Sequence, residues 1–240
     1  MRGSLIDNAA VHADAYLAWW RVAGVDCAVA EAPVNWLRPA PTSPEPAIAS
    51  AAEARKTPAD LAAFHHWLET DPAQPERRWP SRPIYPAGAA DAPLMIVSDM
   101  PDPADVAGGA LFADKAGILL DAMLRAIGVA RTEVYLASLF FARPPGGMVE
   151  ASDLASAADR MGMHISVARP RRLLILGDRT GRALMPTNDT PGVYGLRGFN
   201  CQGGTVPAVA TFHPRLLLGQ PAAKAECWRA LQVLIEEPRP

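Results

Sequence analysis

The chain has 240 residues, half of them hydrophobic and a fifth charged, with a formal net charge of -2. That is enough for one α/β domain with an extension and a sizeable core. The near-neutral balance argues against a general polyanion binder but leaves room for a local basic strip along a groove.

Cys27, Cys201 and Cys227 stand far apart without CxxC spacing, so neither a zinc site nor a disulfide framework follows from them. Scattered reduced thiols suit the cytoplasm. No apolar run reaches the roughly 18 residues of a membrane span, and the start lacks a signal-peptide pattern. The expectation is therefore a cytoplasmic protein with no membrane association.

In chain order, Asn8 to Ala23 reads as an amphipathic helix stopped by Gly24, with Trp19 and Trp20 as anchors. The proline-rich stretch from Pro33 to Pro46 reads as an extended linker. Thr57-Pro-Ala-Asp60 supplies an N-cap threonine, a proline at the first helical position and an acidic third residue for a helix through Trp67 or Leu68. His65 and His66 on that helix have no ligand at a useful spacing and read as surface or partly buried residues. The Pro- and Arg-rich run after Asp71 ends an N-terminal extension, residues 1–86, ahead of a second domain over 87–240.

That second domain alternates strand and helix. Strands are expected over Leu94 to Ser98, Val134 to Ser138, Arg172 to Leu176 and Val206 to Phe212. Helices are expected over Lys115 to Ile127, Ala151 to Ala168, Asp178 to Met185 and Pro221 to Ile235. This order predicts a three-layer α/β/α fold around a central four-stranded, mainly parallel sheet. In such sheets ligands bind beyond the carboxyl ends of the strands. Asp99, Ser138 and His213 all fall at such ends, and Pro214 ends the last strand by pushing His213 into extended geometry. Phe112 stands in a Gly-rich loop just before a helix, as a core plug or a stacking face.

The ordered set Ser98-Asp-Met-Pro-Asp102, Gly108-Gly-Ala-Leu-Phe112, Ala116-Gly-Ile-Leu-Leu-Asp121, Val134-Tyr-Leu-Ala-Ser138, Arg143-Pro-Pro145, Arg169-Pro-Arg-Arg-Leu-Leu-Ile-Leu-Gly177, Thr211-Phe-His-Pro-Arg-Leu-Leu-Leu218 and Pro221 with Lys224 and Trp228 resembles the uracil-DNA glycosylase superfamily. The nearest branch is the bacterial and archaeal iron-sulfur, or family 4, type, and the resemblance spans about Pro93 to Leu234. It implies a DNA repair enzyme that flips a deaminated base, uracil or a related one, out of the stack and hydrolyses its N-glycosidic bond. Asp99 and His213 would be catalytic, Met100, Phe112 and Ser138 would contact the base, and Pro101, Arg215 and Leu216 would contact DNA. The expected partner is single- or double-stranded DNA with a damaged base, and the expected state a monomer.

Three departures qualify what the resemblance implies. The family's Gly-Glu-x-Pro-Gly is here Ser-Asp-Met-Pro-Asp, with a carboxylate one methylene shorter and an acid where DNA phosphate would pass. Ser138 stands where the family carries the asparagine that reads uracil, and a hydroxyl discriminates less than an amide. Ala142 and Ala157 stand at or near two of the cluster-cysteine positions, and the N-terminal cysteine pair is missing, so no iron-sulfur cluster is expected. The N-terminal helix with its tryptophans would then staple this part of the fold. Two readings stay open: the glycosylase, and a catalytically degenerate member acting as a nucleic-acid-binding or protein-interaction module. A phosphate-binding α/β protein outside the family is disfavoured, since there is no Walker loop or Gly-x-Gly-x-x-Gly.

Overall fold

The computed structural model of the chain describes residues 58–185 and 195–236, together with Ala18, Trp19 and Val22. Contacts divide the chain after Arg55. In the first unit the three described residues are helical and exposed. The rest of the expected helix over residues 8–23, and the proline-rich stretch after it, lie outside the described residues.

The second unit is built on strands β1 (Leu94–Ser98), β2 (Val134–Ser138), β3 (Leu173–Leu176), β4 (Arg197–Cys201) and β5 (Gly204–Thr211), in spatial order β2-β1-β3-β5-β4. Every residue of β1 and β3 is buried, as befits strands covered on both faces. Alternate side chains serve different layers. Met95, Val97, Tyr135, Leu173, Ile175 and Ala208 pack under Ala157, Met161 and Ile165 of helix α4 (Ala151–Ala168). Ile96, Val134, Leu174 and Val209 pack under Leu120 and Leu124 of α3 (Lys115–Ala126) and Leu231 and Leu234 of α7 (Lys224–Ile235). The fold is α/β with three layers. β2, β1, β3 and β5 run parallel, as expected.

The fifth strand corrects the four-stranded expectation. β4 pairs antiparallel with β5 at the sheet edge. Its sequence, Arg-Gly-Phe-Asn-Cys, buries only Phe199, so it carries no alternating apolar pattern to be read. A smaller correction concerns α1 (Leu61–Thr70): its N-cap is Asp60, whose carboxylate accepts from the Ala63 amide at 2.8 Å, rather than Thr57.

Residues 58–86 belong to the same compact unit as the sheet. Phe64 and Leu68 of α1 pack on Phe141 and Ala142, just past the end of β2. His65 Nε2 meets Tyr135 Oη at 2.6 Å, and the same hydroxyl meets the fully buried His164 Nε2 at 2.7 Å. Beyond α1, the fully buried Glu76 carboxylate takes bonds from Arg160 of α4 at 2.5 and 3.0 Å and from the Phe141 amide at 3.3 Å. Arg160 also reaches Gln74 Oε1 at 2.5 Å and the Leu139 carbonyl at 2.8 Å. One guanidinium thus ties the segment before the sheet, the loop after β2 and α4 together, with its buried polar atoms satisfied.

Candidate active site

The carboxyl ends of β1, β2, β3 and β5 supply the site. Past β1 the chain turns through Asp99-Met-Pro-Asp102 into the short helix α2 (Pro103–Gly108), with Pro103 at its first position. Asp105 accepts from the Asp102 amide at 3.0 Å through one oxygen and from the Ala113 amide at 2.8 Å through the other, so one carboxylate fastens the turn to the Phe112 loop. Phe112 itself has φ of 58°, a left-handed conformation rare for an aromatic residue. It is held there by Arg131, which donates to the Leu111 carbonyl at 2.9 Å and pairs with Asp121 at 2.8 Å, and by Gly117, whose missing side chain makes room for the Phe112 carbonyl. The Phe112 ring is buried and lies nearly parallel to the His213 imidazole, centroids 5.5 Å apart.

His213 follows β5 and is the N-cap of α6 (Pro214–Gly219). Its Nδ1 accepts from the Arg215 amide at 3.2 Å, which leaves the proton of the neutral ring on Nε2. Burial, helped by the Arg215 charge, pushes its pKa down to about 4, so the imidazole is neutral at physiological pH. α6 is anchored by buried Leu217 and carries Leu216 and Leu218 exposed.

Asp99 lies across a cavity of about 380 Å³ that His213, Gly177, Arg179, Arg215 and Leu216 also line. Its Oδ2 accepts from Arg179 Nη1 at 2.9 Å, while its buried Oδ1 meets no hydrogen-bond donor. Burial raises the Asp99 pKa above the ordinary carboxylate value; Arg179 is the strongest opposing influence, followed by Arg143 and Arg215. Arg179 opens helix α5 (Asp178–Leu184) directly after β3, where Gly177, at φ of 97°, allows the sharp turn from strand to helix.

Of the other expected residues, Arg215 and Leu216 line this cavity, whereas Met100, Pro101, Phe112 and Ser138 do not. Ser138 sits beside Ser98 in the β1–β2 register, but its buried Oγ donates to the Phe140 carbonyl at 2.7 Å. Met100 and Pro101 are buried, and the Pro101 carbonyl accepts from Arg143 at 3.2 Å. Arg215 forms an ion pair with buried Asp102 at 2.5 Å, and Arg143 approaches the same oxygen at 3.7 Å. Sequence reasoning missed Arg179, although the strand-end rule that singled out Asp99 and His213 applies equally to the residue two past Gly177.

The donors do not fit a four-thiolate cluster. The whole chain has three cysteines, and Cys201 and Cys227 pack against opposite faces of the sheet. Ala142 and Ala157, at or near the ligand positions the resemblance implies, are buried among apolar side chains.

The sequence is 25% identical over 175 residues, 70% of this chain and 89% of the relative, to a type-4 uracil-DNA glycosylase of Pyrobaculum aerophilum. It is 26% identical over 134 residues, 55% of this chain and 69% of the relative, to a type-4 uracil-DNA glycosylase of Thermotoga maritima. The model of the uracil DNA glycosylase superfamily matches residues 85–232, a stretch that holds all five strands, Asp99 and His213. By that match, more than half of its length, the chain belongs to the uracil-DNA glycosylase superfamily.

Proposed function

We propose that the protein is a DNA N-glycosylase that removes a flipped, deaminated base by hydrolysis and works without an iron-sulfur cluster. The observation that carries this reading is the state of His213: a neutral imidazole with its proton on Nε2, braced by Phe112, on the same cavity as a carboxylate. As the N-glycosidic bond breaks, its electron pair leaves with the base, and His213 donates a hydrogen bond to the base oxygen that takes up the charge. Water attacks the sugar carbon, and Asp99 accepts its proton or stabilises the cationic sugar. The products are the free base and an abasic site. Leu216, exposed on α6, would enter the minor groove and hold the gap, and Arg215 would exchange Asp102 for phosphate. DNA is the proposed partner of a monomer.

Two features favour the second reading, a binding module without catalysis: Asp99 is already engaged by Arg179, and Ser138 by Phe140. Excision assays on oligonucleotides carrying one uracil, hypoxanthine or xanthine, opposite guanine, opposite adenine and in single strands, separate the two. The glycosylase reading expects alkali-labile sites from at least one substrate. Salt-dependent DNA binding with no base released at stoichiometric protein would overturn it in favour of the binding module.

A further inference from the structure

Resting on the glycosylase reading, we propose that Arg179 is a positioning residue of this site: its guanidinium clamps Oδ2 of Asp99 and so keeps the carboxylate ionised and fixed in orientation on the cavity. Three observations converge on it. The Nη1–Oδ2 bond of 2.9 Å fixes one edge of the carboxylate, while Oδ1 is buried and meets no donor. Arg179 and Asp99 line the same cavity as His213, so the clamp operates at the reacting centre. The other cations near Asp99 are directed elsewhere: Arg215 and Arg143 converge on Asp102 at 2.5 and 3.7 Å.

The remaining charged groups on the cavity do not replace the clamp. Asp178, on the first turn of α5, pairs with Arg182 at 2.9 Å, and His213 is neutral. Arg215, the other cation on the cavity, is paired with Asp102, which does not line it. A carboxylate one methylene shorter than glutamate has less freedom to find its own geometry, and a charge in a poorly hydrated cavity needs a counter-ion to stay ionised. Arg179 meets both needs from a rigid strand-to-helix junction, and it acts through Asp99 rather than on the substrate.

The test compares wild type, Arg179→Met, which keeps length without charge, and Arg179→Lys, which keeps charge without the planar fork. Two readouts are taken: the pH dependence of kcat/KM for base release, and the carbon-13 NMR titration of the Asp99 carboxyl, assigned with Asp99→Asn. In Arg179→Met, burial acts on Asp99 against only the weaker influences of Arg143 and Arg215. Its titration and the acid limb of the rate profile are expected to move upward by about one to three pH units, with most of the rate recovered at alkaline pH. Arg179→Lys is expected to return both most of the way to wild type. An unchanged Asp99 titration in Arg179→Met, or a rate loss equal at every pH, overturns the proposal. A wild-type protein that releases no base, while its Asp99 titration still moves with Arg179→Met, removes the glycosylase reading and leaves the clamp standing.

Discussion

At the scale of single residues, the site depends on how neighbours constrain two side chains. His213 is held neutral by burial and oriented by the Arg215 amide, and Phe112 supports its ring from a left-handed loop position. Gly117 shows how strict the constraint is. It lies inside α3, where helix propensity alone favours alanine by about 0.8–1 kcal/mol. A β-carbon there would lie 1.9 Å from the Phe112 carbonyl oxygen, a backbone atom. Sterics therefore win over propensity. Gly117→Ala is expected to destabilise the protein by about 1–3 kcal/mol in urea denaturation and to lower base release as the Phe112–His213 stack opens. An alanine variant as stable and as active as wild type would contradict this.

Asp99 and His213 were legible in the sequence because each follows an apolar strand at the edge where parallel sheets bind ligands. Arg179 follows β3 by the same rule, but an arginine opening a short helix looks like an ordinary solvated residue. The engagement of Ser138 could not be read at all, because the direction of a hydroxyl depends on where the chain goes next, here to the Phe140 carbonyl.

At the scale of elements, β1, β2 and α4 match their expected bounds residue for residue, since their apolar patterns are unbroken. β4 was invisible, because pairing with β5 rather than its own composition makes it a strand. The contact of the 3₁₀ turn Pro75–Arg78 with α4 was equally hidden: Glu76 and Arg160 stand 84 positions apart, and neither has a local partner to advertise the pair. Both side chains are buried. Glu76→Gln leaves the Arg160 charge buried without its counter-ion, and a loss of about 3–5 kcal/mol is expected in urea denaturation. The double variant Glu76→Gln with Arg160→Met should recover part of that loss. A single variant within experimental error of wild type would show that the pair contributes little to the fold.

At the scale of the molecule, buried neutral histidines couple stability to pH. Burial pushes the His164 pKa down to about 3, and it lowers those of His65 and His213 as well. The unfolded chain binds a proton near pH 6.5 that the folded chain refuses, so stability is greatest above that pH and declines as pH falls from about 6.5 toward 3. Denaturation from pH 7 to 4 should show this decline. In His164→Gln the slope should be shallower by up to about 1.4 kcal/mol per pH unit, the effect of one proton. Parallel slopes in the two proteins would contradict a neutral His164.

The Glu76–Arg160 pair and the packing of Phe64 and Leu68 on Ala142 join α1, the 3₁₀ turn, the loop after β2 and α4. They brace the loop after β2, whose Phe140 amide donates to the Asp99 carbonyl at 2.9 Å. In the proposed reaction this frame holds His213 as a neutral hydrogen-bond donor to a departing base. Single-turnover release of uracil from a single-stranded oligonucleotide by wild type and by His213→Ala tests it most directly. Measurable release by wild type and a loss of about a hundred- to a thousandfold in the variant are expected. Equal rates in the two proteins, or no release by either, would contradict this.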